Sequence, residues 1–162
     1  EAWEKFLEPI PKDERNSLMS AYHKIFLGDD ENKRLKAAIA WSTWEGSTSS
    51  MSYKPEMVSS FSNPKFALAF ALIENHYFMN LGFLENEDQL IKSSSIDKIR
   101  HIPAKIIQGR YDMICPVETA WELSKNWQEA ELIIAPSSGH SAFEKEITHH
   151  LISATNEFSE HV

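Results

Sequence analysis

Two residues have the types and spacing for proton-transfer chemistry: Asp112, which ends Gly109-Arg110-Tyr111-Asp112, and His140, in Ser137-Ser138-Gly139-His140-Ser141. A carboxylate beside an imidazole fixes its tautomer and stabilises the imidazolium formed when the base takes a proton. Each residue also has a plainer use. Asp112 suits a turn or a helix cap ahead of Pro116, and His140 suits a polar loop with a glycine beside it. As a pair they say more, because the chain between them has room for one turn, one helix and one strand. That brings the second turn back beside the first.

A nucleophile to complete the pair is not found. Gly-x-Ser-x-Gly is absent, Ser137, Ser138 and Ser141 share the histidine's own loop, and no His-Gly-Gly oxyanion loop occurs. Cys115 follows the acid too closely to serve and reads as a small buried residue.

The elements that must position the pair come late in the chain. Ala104–Gln108 reads as a strand, Val117–Trp127 as a helix, Leu132–Ala135 as a strand and Phe143–Phe158 as a helix. Strand, helix and strand in succession imply parallel pairing, and the carboxyl ends of parallel strands form the crevice that ligands use. Apolar runs such as Leu132-Ile133-Ile134 imply a covered sheet, which two strands cannot make alone. Further strands are therefore expected upstream in a longer parent.

Earlier residues read as helices only. Leu18, Tyr22, Ile25 and Phe26 share one face of a helix closed by Gly28, and Asp29 and Asp30 offer a cap for the next. That second helix carries Leu35, Ala38, Ile39, Ser42 and Glu45 and is expected to fail near Gly46 and the serine cluster that follows. Residues 47–64 read as an irregular connection with one helical turn. Phe66–Asn80 is apolar on nearly every side and reads as a helix buried all round, inside which Glu74 and His76 need partners. Trp41 reads as core and His76 as a satisfied interior histidine. A hinge with a short helix around Gln89–Lys92 precedes the strands.

Composition narrows the classes. The net charge of −8 and the lack of a basic stripe argue against nucleic acid. No apolar run approaches the roughly 20 residues of a membrane span. One cysteine excludes an internal disulfide or a Cys-pair metal site and favours a reducing, cytoplasmic compartment. His149-His150 lack the spacing of a zinc pair, so neither metal nor organic cofactor is implied. The chain opens at Glu1-Ala2-Trp3 with no leader in view and reads like the latter half of something longer.

Gly109-Arg110-Tyr111-Asp112 with Cys115-Pro116 and Ala120-Trp121, Gly139-His140-Ser141, Trp41-x-x-Trp44-Glu45-Gly46 and Glu74-Asn75-His76-Tyr77-Phe78 together resemble the proline iminopeptidases, serine peptidases of the α/β-hydrolase fold. The resemblance runs from Trp3 across essentially the whole chain. It implies the C-terminal part of an α/β-hydrolase fold preceded by an all-helical cap, with residues 1–88 as cap and 89–162 as core. By it Asp112 is the triad acid, His140 the general base, and Glu45 and Glu74 bind the amine of an N-terminal proline. Trp44, Tyr77 and Phe78 are candidates to wall the proline ring. The implied partners are a peptide with an N-terminal proline and a missing N-terminal half that supplies serine and oxyanion hole, without which the chain is inactive. Two alternatives stay open: a capped esterase or amide hydrolase of other specificity, and a non-catalytic module that pairs through its sheet edge. Homo-oligomerisation is also left open.

Overall fold

The structure, a computed structural model, describes residues 1–86 and 88–160. Its elements are helices and a small parallel sheet, and the chain divides into two compact units, Glu1–Thr48 with Tyr53–Leu84 and Ser49–Ser52 with Glu85–Val162. The expected boundary at 88/89 falls beside Glu87, which lies outside the described residues, as do His161 and Val162.

The first unit is helical. Helix α1 (Ala2–Leu7) ends where the Arg15 guanidinium donates to the Leu7 and Ile10 carbonyls, at 2.9 and 3.0 Å. Helix α2 (Leu18–Leu27) buries Ala21, Tyr22, Ile25 and Phe26, and Leu18 is only partly covered. Helix α3 (Glu31–Thr48) starts under Asp30, whose carboxylate accepts the Lys33 N–H at 2.9 Å. Trp41, 1% exposed, lies in the expected core, edge-on to Tyr22 with ring centroids 5.0 Å apart. The Tyr22 hydroxyl donates to the Phe6 carbonyl at 2.5 Å, and its burial pushes its pKa up.

Helix α3 ends at Thr48, in the serine cluster just past Gly46 where it is expected to fail, and Gly46 also serves packing: a Cβ there would lie 2.8 Å from the Phe61 side chain. Two expectations for this unit need correction. Residues 47–64 contain helix α4 (Pro55–Phe61), opened by a proline at a position that needs no N–H. Helix α5 (Pro64–Met79) forms as expected under the Asn63 side chain, but it is not buried all round. Ala67, Ala71 and Asn75 are buried, whereas Ile73, Tyr77 and Phe78 are at least half exposed.

In the second unit, Asp88–Lys92 forms turns and the short helix α6 (Ser93–Ile96) lies just beyond the expected place. Strands β1 (Ala104–Gly109) and β2 (Ala130–Ala135) pair in parallel from Ala104↔Ala130 to Gly109↔Ala135. Helix α7 (Val117–Asn126) connects them, and α8 (Lys145–Ser159) follows, starting two residues later than expected; both pack on the sheet. Lys105 on β1 pairs with Glu131 on β2 and Glu157 on α8, at 2.6 and 2.9 Å. Among the described residues the sheet has two strands, and no helix is long and apolar enough to cross a membrane.

Candidate active site

The parallel register places Gly109 and Ala135 side by side, so the turns that leave β1 and β2 start together. Backbone bonds then join them: the Arg110 N–H donates to the Ala135 carbonyl at 3.0 Å and the Tyr111 N–H to the Ser138 carbonyl at 2.9 Å. Gly109 is required by the approach itself, since a Cβ there would fall 2.0 Å from the Gly139 carbonyl oxygen.

This arrangement brings Asp112 to His140. Asp112 Oδ2 lies 3.0 Å from His140 Nδ1, and Gln108 Nε2 donates to the same oxygen at 3.2 Å. Oδ1 accepts the backbone N–H groups of Ile114 and Cys115 at 3.0 and 2.8 Å. Asp112 is thus both the turn-former and the imidazole's partner, so its two readings are one. Burial opposes its charge, but the Cys115 N–H, His140 and the Ile114 N–H outweigh that and hold its pKa below the usual carboxylate range. An ionised carboxylate only accepts, so Nδ1 carries the proton and Nε2 is left as the basic nitrogen. The side chain of His140 is 39% exposed against 6% for Asp112, an anchored acid under an accessible base.

The histidine loop is held by further groups. Glu146 Oε2 accepts the Ser137 N–H at 2.8 Å and the Ser138 hydroxyl at 3.2 Å. Glu144, 5% exposed, accepts the Gly139 N–H through Oε2 and the Met51 N–H through Oε1, the latter at 3.0 Å. The Ser49 carbonyl takes the N–H groups of His140 and Ser141 at 3.0 and 2.7 Å. Sequence reasoning missed Gln108, Gly109, Ser49, Glu144 and Glu146. Two glutamates four and six residues past a histidine were visible, but the backbone groups they bind were not.

No protein-family model matches the chain. The proline iminopeptidase of Xanthomonas citri is 50% identical over 159 residues, 98% of this chain and 50% of that protein. The Arabidopsis thaliana proline iminopeptidase is 47% identical over 155 residues, 95% of this chain and 40% of that one. The Neisseria gonorrhoeae proline iminopeptidase is 41% identical over 157 residues, 97% of this chain and 48% of that one. The chain is a relative of the proline iminopeptidases. It spans about half the length of the curated relatives it matches.

The residues that the resemblance to proline iminopeptidases assigns to substrate recognition all lie in the first unit. Glu74, partly buried on α5, accepts the Trp41 indole N–H through Oε2 at 2.6 Å, and the Trp41 ring lies 6.2 Å from Phe78. Phe78 and Tyr77 are 50% and 51% exposed, and Tyr77 sits edge-on to Phe83 at 5.5 Å. Trp44 packs on Trp3 and Phe6, which makes it part of the aromatic cluster. Glu45 is partly buried on α3. Two expectations fail: His76 is exposed rather than interior, and Cys115 is exposed rather than buried. Each also makes a backbone bond. The His76 carbonyl accepts from Asn80 at 2.8 Å, and the Cys115 N–H serves Asp112. Among the described residues no group of three or more His, Cys, Asp or Glu is arranged to hold a metal ion.

Proposed function

We propose that this chain is the C-terminal part of a proline iminopeptidase of the α/β-hydrolase fold, with residues 1–88 as helical cap and 89–162 as the last part of the core. The observation that carries the reading is the 3.0 Å contact of Asp112 Oδ2 with His140 Nδ1, which leaves Nε2 basic and exposed. His140 takes the hydroxyl proton of a serine supplied from outside these residues, and the serine oxygen attacks the carbonyl of an N-terminal proline. Asp112 holds the imidazole and stabilises its cation while the leaving amine takes the proton back. Water then hydrolyses the acyl-enzyme by the same base. Glu45 and Glu74 neutralise the cationic proline amine and accept its hydrogen bonds, and Tyr77, Phe78 and Trp44 supply apolar surface around the ring.

The test uses the full-length protein that carries this chain. It should hydrolyse a proline arylamide far better than a simple ester, and Asp112→Asn should lower kcat about 10⁴-fold with little change in KM. Preference for the ester would favour the capped esterase. Unchanged turnover in D112N would remove Asp112 from the mechanism. The 162-residue chain alone is expected to be inactive.

A further inference from the structure

The loop that carries His140 is closed by a ring of bonds to a segment nearly a hundred residues earlier. From the Gly139 N–H the ring passes to Glu144 Oε2, from Oε1 to the Met51 N–H, along the backbone to the Ser49 carbonyl, and back to the N–H of His140 at 3.0 Å. Gly139 permits the closeness, since a Cβ on it would lie 2.9 Å from the Met51 nitrogen. Every bond in the ring involves a backbone group, and the carboxylate of Glu144, a residue 5% exposed, is the one side chain in it. Burying a carboxylate costs several kcal/mol, roughly, unless charge-assisted bonds offset it, and here each oxygen receives a backbone N–H.

We propose that Glu144 is a positioning residue for His140: it clamps the N–H of Gly139, the residue directly before the base, to that of Met51, and so sets where Nε2 stands relative to the nucleophile. Asp112 fixes the imidazole's rotation from one side, and the Glu144 ring fixes the backbone from which the imidazole hangs. Both restraints are needed, because a hydrogen bond at Nδ1 leaves the ring free to swing as its backbone shifts. Glu146 instead bonds the Ser137 N–H and the Ser138 hydroxyl, further up the loop.

The role rests on the proposed reading of His140 as general base, and the experiment separates the two. In the full-length protein, Glu144→Ala removes both acceptors, while Glu144→Gln keeps the shape and one acceptor oxygen. Steady-state kinetics on a proline arylamide are combined with proton NMR of the downfield Nδ1–H that Asp112 holds. Expected is a fall in kcat of about 10- to 100-fold for E144A, KM within about twofold, an intermediate kcat for E144Q, and faster exchange of the His140 proton with water. A folded E144A with wild-type kcat and an unchanged His140 proton, losing stability alone, overturns the proposal. Should E144A fail to fold, E144Q decides on the same two readings. Should the wild-type protein cleave no proline arylamide, the proposed function fails, and exchange of the His140 proton in E144Q alone decides the positioning role.

Discussion

Gly109→Ala perturbs the place where β1 meets the histidine loop. The added Cβ would fall 2.0 Å from the Gly139 carbonyl oxygen, 2.7 Å from that of Ser138 and 2.8 Å from the Gly139 carbonyl carbon. All three are backbone atoms, so no side chain can rotate away. Ordinary contact starts near 3.4 Å, so the strand end and the loop must part by about 1.4 Å. Gly139 adjoins His140, and the turn that begins at Gly109 carries Asp112, so the separation falls directly on the 3.0 Å acid–base contact. A misplacement of about 1 Å in a reacting group costs on the order of 10²-fold in rate, and overpacking costs about 1–3 kcal/mol in stability. Kinetics on a proline arylamide in the full-length protein, with denaturant unfolding of the same variant, read both numbers. A G109A enzyme with wild-type kcat would refute the reasoning, whatever its stability, because it would show that the loop can move without moving the base.

Asp112 holds a pKa below its unfolded value of about 3.9, so its stabilisation is fully present above that value and is lost as the pH falls through the lower, folded one. Urea denaturation in steps from about pH 5 to about pH 2 should therefore show wild type losing more stability than Asp112→Asn, and parallel curves would contradict the assigned hydrogen bonds. Glu74→Gln should lower kcat/KM for free-amine proline substrates by about ten- to a hundredfold and spare an N-blocked proline amide; equal losses on both would sink the recognition role. Tyr22→Phe strands the Phe6 carbonyl in the core and should cost about 1–3 kcal/mol by denaturant unfolding, whereas a change below measurement error would mean the carbonyl finds another donor.

The strand–helix–strand around the acid was readable because each element announces itself locally. Leu132–Ala135 lies within β2, Val117–Trp127 differs from α7 by one residue, and parallel pairing follows from the helix between the strands. Errors arose where a residue type has two uses. Pro55 reads as a breaker yet starts helix α4, because its missing N–H is not needed there, and Gly46, in the last turn of α3, also makes room for Phe61 by its missing Cβ. On α5, apolar composition told which side chains favour burial without telling which neighbours reach them, so Tyr77 and Phe78 stand half exposed while Ala67 and Ala71 are covered. Cys115 and His76 have side chains whose types suggest burial, yet both are exposed, and the Cys115 N–H and the His76 carbonyl make backbone bonds that residue type does not mark.

The acid and the base could be paired from sequence for a reason that did not extend to their supports. Asp112 and His140 are joined by side chains whose types advertise the chemistry, and the fold between them sets the distance. Glu144 and Ser49 act on peptide groups, which every residue except proline presents alike, so no pattern of residue types marks Gly139 and Met51 as targets of the first, or His140 and Ser141 as targets of the second. The bond from Met51 to Glu144 also spans 93 residues, and nothing in the local periodicity of either end registers it. It follows that a substitution at Glu144 looks harmless in sequence, as a change of one glutamate in the first turn of the expected helix Phe143–Phe158. In three dimensions it removes the one side chain in the ring that holds His140.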